Sequence, residues 1–346
     1  MKLSCNANLS CTVKLTQRVI SPSIGGYSYI AGLIFGWLLA MPVVAGASKA
    51  AEPPGPIRVI TNDWTSQIVL AHIAGTLFEQ LGFTVQYAES TTREQWGALS
   101  RGAAHVQVEV WEGTMSDMFN RMLAQGKIID AGDHDAKTRE EWWYPSYVEA
   151  RCPGLPDWQA LNRCAKLFAT EDSGNFGIYI AGPWEKPEAA RIRALKMAFR
   201  VRQVNNSDEL WVELKKASNE NRPIVLFNWT PNWVEDRFEG KFVEFPAYDP
   251  ACETDPGWGI NPDYHYDCGN PKDGWLKKAV WSGMPEAWPC AYQTLRNLNF
   301  NNAMISGLAA RVDVDGLGHQ AAAEEWLQQH ESLWQSWIPD HCRSDG

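Results

Sequence analysis

Between Ile57 and Trp111, three short apolar runs alternate with two segments of helical period, and few folds satisfy that alternation. Ile57-Arg58-Val59-Ile60, Phe83-Thr84-Val85-Gln86-Tyr87 and His105-Val106-Gln107-Val108-Glu109-Val110-Trp111 read as strands. Between the first two, Ile68, Leu70, Ile73, Leu77, Phe78 and Leu81 keep helical spacing, with Ser66 placed to cap the helix and Gly82 to end it. A shorter helix from Arg93 to Ser100 ends at Gly102. A β-α-β-α-β run predicts a mostly parallel α/β sheet.

A second α/β region follows. Leu167-Phe168-Ala169-Thr170 reads as a short strand, Gly174-Asn175-Phe176-Gly177 as a turn, and 188–197 and 208–219 as helices. Residues 223–229 read as a buried strand and 242–245 as another. The stretch 246–274 is irregular and rich in Pro, Gly and acids, and a loop of that length is usually functional or stapled. From Pro285 the chain returns to helix, where Trp326, Leu327, His330, Leu333, Trp334 and Trp337 form a stripe suited to a buried helix face.

The N-terminus reads as an export signal. Basic residues precede an apolar stretch from Ile24 to Ala47 that ends in Ala45-Gly46-Ala47, a small-residue cleavage pattern. Residues 1–47 are assigned to the signal and 48–56 to a Pro-rich linker, so the mature chain is expected to be exported. Residues 1–47 hold Lys2, Lys14 and Arg18 and no acid, so removing them takes the net charge from −10 to −13. An acidic body lacks the clustered positive charge that nucleic acid requires, so no nucleic-acid partner is expected. Export permits disulfides. Among the six cysteines of the mature chain, sequence proximity favours Cys152–Cys164 and Cys252–Cys268, leaving Cys290–Cys342.

Eighteen tryptophans are unusual, and several stand where strands or turns end rather than on apolar stripes. They occur in Asn62-Asp63-Trp64-Thr65, Val110-Trp111-Glu112, Pro183-Trp184-Glu185 and Asn228-Trp229-Thr230-Pro231-Asn232-Trp233. Indole faces attract a cation that cannot donate hydrogen bonds, such as a methylated ammonium. In open α/β sheets ligands bind outside the carboxyl ends of strands, where Trp111 and Trp229 fall.

These segments resemble the periplasmic substrate-binding proteins of glycine betaine/proline betaine ABC importers. Trp229-Thr230-Pro231-Asn232-Trp233 is similar to the family's Trp-x-Pro-x-Trp motif. Trp111 matches its aromatic after the third strand, and Asn62-Asp63-Trp64 follows the first strand. Within the family, Cys152-Pro153-Gly154-Leu155-Pro156-Asp157-Trp158, Cys164 to Thr170 and Asp267-Cys268-Gly269 look most like the trimethylamine N-oxide-binding group. The resemblance implies a two-lobed periplasmic-binding-protein fold (type II), with the ligand cleft between lobes joined by two hinge crossings. Residues 57–146 and 276–342 would form lobe 1, and 147–275 lobe 2. It implies a non-catalytic protein that closes on a small methylated-ammonium ligand and serves ABC permease and ATPase subunits at the inner membrane.

Carried over residue by residue, Trp64, Trp111, Trp184 and Trp229 are the implied ligand-binding aromatics. Betaine-binding members carry an aromatic in the Gly-rich turn, which leaves the second-lobe aromatic as Phe176 or Trp184. Trp233 is expected to pack behind the cage. Glu109 and Glu112 neighbour Trp111, and a carboxylate there would favour an ammonium or, protonated, donate to an N-oxide. No cofactor is expected. The acidic loop residues Glu253, Asp255, Asp263 and Asp267 are a candidate structural calcium site, because calcium takes several oxygen ligands, although their spacing is not that of an EF-hand. The alternative is a secreted carbohydrate-active enzyme or lectin that stacks tryptophans on sugars, which as an enzyme would need two carboxylates in one cleft.

Overall fold

The computed structural model describes residues 55–184 and 186–343. The expected signal and most of the linker lie outside these residues. Nine strands form one continuous mixed sheet: β1 (Ile57–Thr61), β2 (Val85–Glu89), β3 (Val106–Trp111), β4 (Ile128–Pro145), β5 (Gly177–Ala181), β6 (Phe199–Gln203), β7 (Val225–Thr230), β8 (Gly240–Phe242) and β9 (Gly274–Trp281). Their order is β2-β1-β3-β9-β4-β7-β5-β6, with β8 paired to β4.

Two parallel trios stand at the two ends of this sheet. In one, β1 pairs in parallel with β2 and β3; in the other, β5 pairs in parallel with β6 and β7. Between them lie antiparallel β9 and β4. The first part of β4 pairs with β9 down to Thr138 opposite Gly274, and from Arg139 onward its partner is β7. A single 18-residue strand therefore belongs to both halves. The architecture is a mixed α/β sheet with a parallel trio at each end.

The first trio arises as its pattern predicts. Helix Thr65–Gln80 buries Val69, Leu70, Ile73, Leu77 and Phe78 against the sheet, and Gly82 turns the chain out of it with φ +84°, a conformation that favours glycine. Ser66 does not cap this helix. Trp64 occupies the cap position, and the Ser66 hydroxyl points to the buried Glu109 carboxylate, 3.1 Å away. Helices Asn302–Asp313 and His319–Gln329 pack on Thr65–Gln80. Beneath them Trp326 and Trp337 lie nearly parallel at 5.9 Å, with Phe300 against both. The expected tryptophan stripe is therefore core.

In the second half, Asn206 caps Ser207–Asn219 by accepting from the Glu209 amide. Residues 165–168 are a 3₁₀ turn rather than a strand, and Ala169 makes only a single bridge to Gly177. Trp142 and Trp143 are fully buried on β4. Trp142 stacks on Tyr179 at 3.8 Å and donates its indole N–H to Glu188 at 2.6 Å. Glu141 and Arg191, also buried, pair at 2.6 Å and tie β4 to helix Glu188–Ala194. A buried pair of this kind is weak evidence for stability, because the loss of hydration offsets the attraction. The three expected disulfides, Cys152–Cys164, Cys252–Cys268 and Cys290–Cys342, are all present. The second of them staples the irregular stretch before β9.

Candidate functional site

Each wall of the site is set by where a strand stops. β1 ends at Thr61, and the chain turns through Asn62 and Asp63 to place Trp64 at the head of helix Thr65–Gln80. β3 ends at Trp111, and helix Glu112–Ala124 starts at the next residue. On β7, Phe227 and Trp229 are two residues apart and so share a face. Glu140 on β4 sits directly opposite Trp229 in the antiparallel ladder, which brings its side chain to the same face. Trp184 follows β5 and folds back over Gly182, where a Cβ would stand 2.1 Å from the Trp184 ring; only glycine fits there.

These side chains converge. Trp64, Trp111, Trp184, Phe227 and Trp229 line one pocket together with Thr92, Thr114, Met115 and Glu140. Trp184 stands edge-on to Trp64 at 6.4 Å and to Trp229 at 5.1 Å, and it lies 5.4 Å from Phe227. Trp211 backs Trp229 at 5.1 Å, and Trp233 backs Trp211 at 5.5 Å, so Trp233 packs behind the cage as expected.

Polar groups in the cavity are few. The Thr114 hydroxyl donates to Glu140 Oε1, and the Lys186 ammonium pairs with the same oxygen at 2.9 Å. Glu140 Oε2 is buried with no hydrogen-bond partner. Behind the cage, Glu109 Oε2 accepts from the indole N–H groups of Trp64 at 2.7 Å and Trp111 at 3.0 Å. Two contacts cross between the halves outside the cavity. Trp184 donates its indole N–H to Asp63 Oδ1 at 3.0 Å, and the Ser207 hydroxyl donates to the Asp63 carbonyl at 3.1 Å. Burial raises the Asp63 pKa, partly opposed by the Trp184 hydrogen bond. Thr92 and Trp184 also line a wider groove that carries Asp63, Glu89 and Glu94.

Of the residues singled out from sequence, Trp64, Trp111, Trp184 and Trp229 come together. Phe176 does not: it is 40% exposed, and the Arg200 guanidinium covers its ring at 4.3 Å. The turn carrying it is closed on itself, with Ser173 donating to the Phe176 carbonyl. Between the two second-half aromatics, Trp184 is the one at the cavity. Glu112 is turned towards β9, where its Oε2 accepts from the Trp275 amide at 3.1 Å.

The acidic loop residues are engaged locally. Asp255 accepts from the Gly257 amide at 2.9 Å, Asp267 accepts from the Asn261 amide at 2.7 Å, and the Asp263 amide donates to the Asn261 side chain. Burial is the main cause of the raised Glu253 pKa, opposed by a hydrogen bond with Tyr248. Among the described residues, Glu253, Asp255, Asp263 and Asp267 do not gather three ligand atoms in one place.

Phe227, Glu140 and Lys186 were missed as site residues. The signal for Phe227 was its place two residues before Trp229 on the same strand. Glu140 lies in the charged run Arg139-Glu140-Glu141, which resembles a solvated surface.

Comparison with known proteins identifies the family of the chain. Residues 55–329 match the family described as the substrate binding domain of the ABC-type glycine betaine transport system. The chain is 37% identical over 314 residues to a trimethylamine N-oxide-binding protein of Pelagibacter ubique, covering 88% of this chain and 98% of that relative. A glycine betaine/L-proline-binding protein from Borrelia burgdorferi superposes with a TM-score of 0.67 at 16% identity, covering 84% of this chain and 98% of that one. A choline binding protein crystallised with choline gives 0.66 at 18% identity, covering 85% and 96%. The family consists of solute-binding proteins of ABC transporters rather than enzymes, so the alternative of a carbohydrate-active enzyme or lectin has no support. The chain belongs to the family of substrate-binding proteins of ABC-type glycine betaine transport systems.

Proposed function

We propose that this protein captures trimethylamine N-oxide, with the trimethylammonium end inside the cage of Trp64, Trp111, Trp184 and Trp229. The observation that carries the choice of ligand is Glu140, a buried carboxylate with one unpartnered oxygen on the wall of the cavity. A betaine must place its own carboxylate in the same small space. Two carboxylates about 4 Å apart at an effective dielectric of about 20 repel by about 4 kcal/mol, which the Lys186 ammonium offsets in part. An N-oxide ends in a single oxygen rather than a carboxylate, and the Lys186 ammonium paired with Glu140 would donate to it. The 37% identical relative, named for trimethylamine N-oxide binding, supports the same choice.

Capture is by closure of two lobes. The crossings lie where β4 changes partner, at Thr138 and Arg139, and where the chain enters β9 at Gly274. Ligand touching tryptophans of both halves favours the closed form by its differential affinity for it. The protein acts in the periplasm after cleavage of the signal near Ala47, delivering ligand to an ABC permease and its ATPase subunits. Calorimetric titration with trimethylamine N-oxide, glycine betaine and choline tests the assignment. The N-oxide should bind most tightly, with glycine betaine weaker by about tenfold or more. Tighter binding of glycine betaine would reverse the Glu140 argument, and tighter choline binding would point to a ligand hydroxyl donating to Glu140.

A further inference from the structure

We infer that Glu109 is a positioning residue and counter-charge for ligand binding, holding the Trp64 and Trp111 indoles through their N–H groups and adding negative charge behind the cage. The inference rests on the methylated-ammonium reading above. Glu109 is fully buried on β3, two residues before Trp111. A single oxygen, Oε2, receives Trp64 Nε1 at 2.7 Å, Trp111 Nε1 at 3.0 Å and Ser66 Oγ at 3.1 Å, while Oε1 has no partner.

A network of side-chain amides holds the carboxylate in place. The Glu109 amide donates to Gln107 Oε1 at 3.0 Å, and Gln107 Nε2 donates to Asn62 Oδ1 at 2.7 Å. Gln67 Nε2 donates to Gln107 Oε1 at 2.9 Å, and its own Oε1 accepts from the Asn62 amide at 2.8 Å. The turn that carries Trp64 and the strand that carries Trp111 are thus locked to one another below the site.

Stability alone gives no reason for a charge here, because a buried carboxylate loses its hydration and one of its oxygens gains nothing in return. A charge behind the rings does have a use. An indole that donates to an anion becomes more electron-rich, which strengthens its attraction for a cation on its face. The groups facing Glu109 are Trp64 and Ser66 from the helix and Gln107 and Trp111 from β3. The nearby charged residues to be considered are the Glu140–Lys186 pair at the cavity, Asp63 beside Trp64 and Glu112 after Trp111.

Burial pushes Glu109 up to about 7, against the lowering effect of its three side-chain donors. A bound cation favours the ionised carboxylate, so binding should release a proton. Affinity then rises with pH through that value and levels off above it.

The test is titration of the full-length mature protein with trimethylamine N-oxide from about one unit below that pH to about one unit above it. The wild type should lose about tenfold in affinity from the upper to the lower limit. Glu109→Gln should show no such slope and should bind about tenfold more weakly at the upper limit, with a melting temperature no lower than that of the wild type. A pH-independent wild type, or a Glu109→Gln variant with the wild-type slope, would overturn the inference; the latter would assign the titration to another group. If Glu109→Gln does not fold, the wild-type profile decides alone. A wild type that binds none of the methylated-ammonium ligands would instead sink the functional reading itself.

Discussion

Replacing Asp63 with alanine removes the acceptor of the Trp184 indole N–H without touching any ring that lines the cavity. The bond is 3.0 Å long and joins the turn after β1 to the turn after β5, so it bridges the two halves of the sheet. A hydrogen bond to a charged group contributes about 1.5–3 kcal/mol net when well buried. Asp63 is exposed as a residue and its carboxylate only partly desolvated, so solvent screening reduces the figure to about 1 kcal/mol. The Ser207 contact goes to the Asp63 backbone carbonyl and survives the substitution. One kcal/mol is about fivefold in Kd. Because the bond bridges the halves, its loss should weaken the closed form and appear mainly in the dissociation rate. Stopped-flow tryptophan fluorescence with trimethylamine N-oxide measures both rates. An unchanged dissociation rate and Kd would refute the view that this contact helps hold the cleft shut. A slower association at constant dissociation would show that it acts before closure.

Trp229→Ala and Trp111→Ala should each weaken binding by about 2 kcal/mol or more, about thirtyfold, since a desolvated cation–π contact contributes about that much; calorimetry on variants whose circular dichroism matches the wild type checks it. Replacing both Cys290 and Cys342 by serine opens a bridge spanning 52 residues and should cost about 4 kcal/mol of unfolding free energy on the chain-entropy model, read from denaturant melts. Glu109 has a folded pKa of about 7, above the ordinary carboxylate value of 4.5, so between those two pH values the folded state holds the extra proton. Its contribution to stability therefore falls as pH rises through this window, and Glu109→Gln should flatten that part of the melting-temperature profile.

The parts of the fold that could be read from sequence are those whose residues see one environment. β1, β3 and helix Thr65–Gln80 are buried along a regular face, so their apolar spacing announces them. β4 was invisible for the opposite reason. Asp130, Asp133, Asp135, Lys137 and Arg139 give it the composition of a loop, yet it is a ladder strand whose charges are met from outside. Lys277 on β9 pairs with both Asp130 and Asp133, and Asn299 meets Asp135. β5 and β6 were lost because their flanking turns masked two five-residue strands, one of them mostly exposed.

The same distinction governs the site. Trp111 and Trp229 were legible because a tryptophan at a strand end has no place in a periodic core stripe. Trp184 stood as one of two candidates until the chain path showed Phe176 at the surface under Arg200. Glu140 was not legible, since its role depends on standing across the ladder from Trp229, a pairing between residues 89 positions apart. Glu109 carried a signal that was read too locally: next to Trp111 in sequence, it also reaches Trp64, 45 residues away.

The most direct measurement compares trimethylamine N-oxide with tert-butanol, its uncharged carbon isostere, by isothermal titration of the mature protein. The two have nearly the same shape, so a cage that works through charge should bind the N-oxide tightly and leave tert-butanol without measurable heat. Comparable affinity for both would mean that the cavity selects by shape and apolar contact alone, and the tryptophan cage would lose its function as a cation site.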